Sequence, residues 1–136
     1  MAGLAAAVLT AAACHNTPAE PLSPTAVVLQ PGVNIAIPQA GLGIQLVRVD
    51  NESRCPSNVT CVWAGNAEVV VAIGPFPGCE TCSIATQVLN TNIEPRSRVV
   101  NGYRVMLDSL TPYPVAPSTI PQASYRAYVT VTFMKD

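Results

Sequence analysis

Arg54-Cys55-Pro56-Ser57-Asn58-Val59-Thr60-Cys61-Val62-Trp63-Ala64-Gly65 places two cysteines, the single tryptophan and a turn glycine within twelve positions. Blocks of alternating apolar residues lie on either side of it. Cys55 and Cys61 are close in sequence and bracket turn-forming residues, so the stretch reads as a disulfide-closed loop. Such a loop feeds a core strand and plugs one end of a β-sandwich, with Trp63 as the first large core residue after it. On the loop-entropy account the closed ring stabilises the fold by about 2 kcal/mol.

The flanking blocks are short strands separated by breakers. Val27 to Gln30 stops at Pro31-Gly32, and Val33, Ile35 and Ile37 alternate with Asn34 and Ala36 up to Pro38. Ile44 to Val49 is more continuously apolar, as in a central strand or one whose phase shifts at a bulge. After the loop, Val69, Val71 and Ile73 share one face of Glu68 to Ile73, and Ile84 to Leu89 follows. Tyr103, Val105 and Leu107 alternate with Arg104, Met106 and Asp108. Tyr125, Ala127, Val129, Val131 and Phe133 alternate over the last stretch. A period of two with proline-rich punctuation predicts an all-β, seven-stranded antiparallel sandwich, immunoglobulin-like, with a small barrel as the alternative.

The bulk numbers agree with one such domain. The chain has 136 residues, enough for a single core, with 49% hydrophobic and 11% charged residues. A net charge of −1 offers no electrostatic basis for binding nucleic acid or an anionic lipid surface. Six arginines against one lysine, with heavy use of Ala, Val and Pro, suit a GC-rich bacterial genome. Five cysteines in a short chain suit an oxidising compartment, given an export signal.

Residues 1–13 supply that signal. They form an unbroken run of small and apolar residues ending at Cys14, too short to span a bilayer and fitting the apolar region of a signal peptide. Small residues before a cysteine resemble the lipobox of bacterial lipoproteins, which implies that Cys14 is lipidated and becomes the mature N-terminus. The alternative is an ordinary cleaved signal that leaves Cys14 free. Residues 14–24 then form the lipid anchor and a flexible tether, and residues 25–136 the single sandwich domain. His15, the only histidine, falls in the tether, and its place after the cysteine points towards the outer membrane.

With Cys14 assigned to lipid, Cys55, Cys61, Cys79 and Cys82 remain. Sequence proximity favours the pairs Cys55–Cys61 and Cys79–Cys82 among three pairings. A redox role for Cys79-Glu80-Thr81-Cys82 would need a helix N-terminus or a cationic neighbour, and Gly78 and a strand flank it instead. A four-thiolate zinc site is the other alternative, against which export favours prior oxidation. The connection from Leu110 to Gln122 contains Pro112, Pro114, Pro117 and Pro121 around Tyr113, so it is expected to be extended and stiff. Such a segment covers a sheet edge or presents Leu110 and Tyr113 to a partner.

Arg54-Cys55-Pro56 followed by Cys61-Val62-Trp63-Ala64-Gly65-Asn66-Ala67 resembles the signature of a group of small uncharacterised bacterial lipoproteins. Their pattern is Asp-Ser-Arg-Cys-Pro, a short gap, then Cys-x-Trp-Ala-Gly-x-Ala and a strand. Leu89-Asn90-Thr91, Asn101-Gly102-Tyr103 and Leu110-Thr111-Pro112-Tyr113-Pro114 are similar to that group's second half. This chain differs in carrying Asn51-Glu52 before Ser53-Arg54, and in its extra Cys79 and Cys82. The resemblance implies a lipid-anchored β-domain and no activity.

Catalytic arrangements are hard to assemble from these residues. Ser–His and Cys–His pairs fail because His15 lies in the tether, and a Ser–Lys dyad fails because Lys135 is penultimate. Asp50 and Glu52 are expected to be solvated strand-end acids, and no glycine-rich phosphate loop occurs. The expected function is a non-enzymatic, membrane-anchored envelope lipoprotein that docks on another envelope protein or membrane complex, without a cofactor or metal. The alternative is a periplasmic small-ligand or metal-binding protein.

Overall fold

Among the described residues the chain forms eight strands in two packed antiparallel sheets. The computed structural model describes residues 24–76 and 84–134. Its strands are β1 (Thr25–Leu29), β2 (Asn34–Ile37), β3 (Leu42–Asp50), β4 (Glu68–Pro75), β5 (Ala85–Asn90), β6 (Ser97–Val100), β7 (Tyr103–Thr111) and β8 (Arg126–Phe133). One sheet has the order β1-β8-β7-β6 and the other β2-β3-β4-β5, and they do not close into a barrel. The sandwich is as expected, and the barrel alternative is set aside. The chain crosses between sheets after β1 and after β5, fewer crossings than the ABED/CFG order of an immunoglobulin domain requires.

The core is aliphatic. Leu29, Ile44, Leu46, Val71, Leu107 and Val129 are among the side chains from both sheets that lose essentially all contact with solvent. Alternation places Val69, Val71 and Ile73 of β4 and Ala127, Val129 and Val131 of β8 in this layer, as the sequence pattern requires. The phase shift in β3 is a bulge: Leu46 pairs with Val71, then Arg48 with Val70, which leaves Val47 as the extra residue. β6 is the strand that sequence alternation does not reveal. Its Ser-Arg-Val-Val lies at a sheet edge, pairs only with β7, and leaves Arg98 and Val99 exposed. The signal for it lies in the turn instead. Asn101 (φ 50°) and Gly102 (φ 79°) form a two-residue hairpin connection in which both residues have positive φ.

The two sheets share one plan. β3 and β7 are both nine residues long, and β7 bulges at the equivalent place, where Leu107 pairs with Val129 and Ser109 with Tyr128. β4 and β8 are both eight residues long, and β2 and β6 both four. The last place in each sheet is filled by β5 beside β4 and by β1 beside β8. Leu89 facing Val69 corresponds in register to Leu29 facing Ala127, and all four side chains are buried. One half is therefore β2-β3-β4-β5. The other is β6-β7-β8 completed by the N-terminal β1.

Candidate functional site

The plans of the two halves differ most in the long connections that follow β3 and β7, and these connections meet at one end of the sandwich. Ser57 N donates to Pro114 O at 2.9 Å. The Asn58 side chain both donates to Ala116 O (3.0 Å) and accepts from Ala116 N (2.9 Å). The proline-rich connection is thus held against the disulfide loop. It also covers an edge: the Gln122 side chain accepts from Val49 N (2.9 Å) and donates to Val49 O (2.8 Å), mimicking a paired strand beside β3. The edge-covering role expected for this segment is observed at Gln122.

The loop itself is a narrow, braced structure. Cys55 and Cys61 form a disulfide with S–S 2.16 Å and Cα–Cα 5.9 Å, as the spacing predicts. Ser53 N donates to Asn66 O (2.8 Å) and Cys55 N to Ala64 O (2.9 Å), which zips the entering and leaving chains together. Gly65 has φ +70°, and a Cβ there would lie 1.7 Å from Ser53 O, so only glycine permits this approach. Cys79 and Cys82 lie outside the described residues, as do Cys14, His15 and Lys135. Among the described residues no three His, Cys, Asp or Glu side chains converge in a way that could hold a metal ion.

Arg54, not Trp63, plugs the end of the core. It is 3% exposed, and its guanidinium donates from Nε to Glu52 Oε1 (2.8 Å), from Nη2 to Glu52 Oε2 (2.7 Å) and Pro112 O (2.8 Å), and from Nη1 to Leu110 O (2.6 Å). Tyr113 stacks on it, with the ring centroid 4.7 Å from Cζ. Glu52 accepts a further hydrogen bond from Tyr125 OH at 3.0 Å. The expectation of a solvated acid is therefore corrected: Glu52 is the counter-ion of a buried arginine. Burial alone would raise its pKa, but the hydrogen bonds and charge of Arg54, with the Tyr125 hydroxyl, outweigh it and hold the carboxyl below its usual value. Burial, then the bond to Glu52 and its charge, push the Tyr125 hydroxyl up to about 12.

Two further expectations are corrected here. Trp63 is 82% exposed, and its neighbour Val62 is 92% exposed. The space next to the core that an indole would need is taken by Arg54, Leu110 and Tyr125, and the first buried residue after the loop is Ala67. Leu110 is not a contact residue either, because as the last inward position of β7 it fills the core. Tyr113 does remain a candidate contact, since it is 57% exposed while it covers Arg54.

Among the described residues, two concavities flank this end. One, of about 300 Å³, lies between Val49, Glu52, Arg54, Ile120, Gln122 and Tyr125, and the guanidinium in it is already engaged by its own partners. The other, of about 430 Å³, is more open and lies beside Trp63, with Ser53, Asn66, Asn92 and Ile93 on its border. The fold and this end define a two-sheet, all-β domain that presents a disulfide-braced loop tipped by an exposed indole. Comparison with protein-family models, curated proteins and solved structures finds no match to the chain.

Proposed function

We propose that the protein is a non-enzymatic lipoprotein, anchored to a bacterial envelope membrane through Cys14. Its sandwich docks through the Trp63 end on another envelope component, either a protein or a membrane complex. The observation that carries this reading is the 82% exposure of Trp63 on a loop held by a disulfide, a backbone zipper and the proline segment. A large apolar ring kept in water is unfavourable on its own, and a rigid loop removes the ordering cost of association. Exposed, preorganised tryptophans are the residues that dominate binding energy at interfaces. The net charge of −1 leaves contact chemistry rather than long-range attraction as the source of affinity.

One experiment tests both parts. A photo-crosslinking residue at Val62 is introduced into full-length protein in its native membrane, alone and with Cys14→Ser or Trp63→Ala. The expected result is a reproducible adduct that Trp63→Ala abolishes without lowering the melting temperature, and release of the Cys14→Ser chain to the soluble fraction. Absence of any adduct refutes the docking surface, and retention of Cys14→Ser on the membrane refutes the anchor.

A further inference from the structure

We infer that the groove beside Trp63 binds a neutral saccharide. This rests on the docking role proposed above and names what that end grips on its partner. The groove combines two kinds of surface. Trp63 and the exposed Ile93 contribute apolar faces, whereas Ser53, Asn66 and Asn92 contribute a hydroxyl and two amides. Among the described residues no charged side chain borders it. A phosphate or carboxylate ligand would find no cation there, and a cationic ligand no carboxylate. A purely apolar partner would strip water from the exposed Asn92 amide without replacing its hydrogen bonds. A pyranose ring meets both requirements, since its C–H face packs on an indole while its hydroxyls exchange hydrogen bonds with amides at the rim. The volume of about 430 Å³ accommodates a short oligosaccharide segment.

The polar rim is fixed in advance. Asn66 N donates to Ser53 Oγ (3.0 Å) and its side chain to Asn90 Oδ1 (2.9 Å), while its Oδ1 accepts from Asn92 N (3.0 Å) and Thr91 Oγ1 (3.3 Å). Asn92, exposed at the rim, is oriented by one amide bond to Gly65 O at 2.8 Å. Little is therefore left to order when a ligand arrives, and the loop that carries Trp63 is joined to this network through Gly65 and Asn66.

Because Trp63 is the only tryptophan, its fluorescence reports this groove alone. Full-length protein in a detergent without a sugar headgroup is titrated with the N-acetylglucosamine tetramer, cellotetraose and maltotetraose. The expected result is a saturable blue shift with at least one of them. Asn92→Ala should weaken that binding by about tenfold or more while leaving the circular dichroism and melting temperature unchanged. An emission spectrum unaltered by all three sugars up to about 10 mM overturns the inference. A shift that Asn92→Ala leaves at full strength overturns it as well. If the Val62 crosslink persists in either case, the docking role stands and its partner is bound through protein contacts.

Discussion

Replacing Arg54 with Met tests the physical account of this end of the molecule most directly. The substitution keeps much of the apolar stem and removes the guanidinium. Two carbonyls, Leu110 O and Pro112 O, then lose their donor, and the first is buried. Leaving a buried acceptor unpaired costs about 1–3 kcal/mol. Glu52 loses its counter-ion, although its side chain is 21% exposed and keeps the Tyr125 hydroxyl, so water repays part of that loss. The transfer of a thioether into the vacated space returns about 1 kcal/mol. Breaking one side of a buried ion pair costs about 3–5 kcal/mol in all, so with that return the expected destabilisation is about 2–4 kcal/mol. Against a typical total of about 5–15 kcal/mol this is a large fraction. The assay is urea unfolding followed by far-UV circular dichroism, because an exposed Trp63 is a poor reporter of the core. Glu52→Gln should cost less, since Arg54 keeps both carbonyls. A loss below about 1 kcal/mol for Arg54→Met at an unchanged denaturant slope would refute the assignment of Arg54 as the plug.

Replacing both Cys55 and Cys61 by Ser should cost at most about 2 kcal/mol in the same assay, because Ser57 and Asn58 still bind the proline segment when the ring is open. Stability should depend on pH at both extremes. Glu52 has a lowered folded pKa, so its contribution is complete above the ordinary value of 4.5 and is lost as pH falls through the depressed one. Tyr125 is shifted upward from 10.0 to about 12, so its contribution is complete below pH 10 and is lost as pH rises through about 12. Melting curves of Tyr125→Phe should lack this alkaline decline, and those of Glu52→Gln should lack the acid one.

Much of the sandwich was legible in the sequence because its core positions obey a period of two. Val69, Val71 and Ile73, and likewise Val105 and Leu107, are buried where alternation places them. The β3 bulge was legible for the same reason, as a break in phase. The chemistry at the end of the sandwich was less legible. Apolarity alone assigns an indole to the core and an arginine to water, and here both assignments are inverted. The reversal has a local cause. The zipper between Ser53–Cys55 and Ala64–Asn66 places Arg54 inward, where carbonyls at the end of β7 need donors, and leaves Trp63, between Cys61 and Ala64, exposed. A charged residue immediately before a cysteine-bounded turn, in a chain with only 11% charged residues, is the signal that could have found it.

The shared plan of the two sheets explains why the site lies where it does. Strand lengths, bulge positions and registers correspond between β2-β3-β4-β5 and β6-β7-β8 with β1, so the strands themselves serve packing on both sides. What distinguishes the halves is the connection after each bulged strand: a disulfide ring after β3 and a proline-rich segment after β7. Neither connection has a core of its own. Each is ordered by the other through Ser57, Asn58 and the two hydrogen bonds that Arg54 donates to Leu110 O at the end of β7 and to Pro112 O beyond it. Because the Arg54 guanidinium satisfies carbonyls at and beyond the end of β7 while its own backbone belongs to the other connection, this end can be rigid without burying an indole. Trp63 is therefore released from the core and available at the surface, at the end where the connections of the two halves differ.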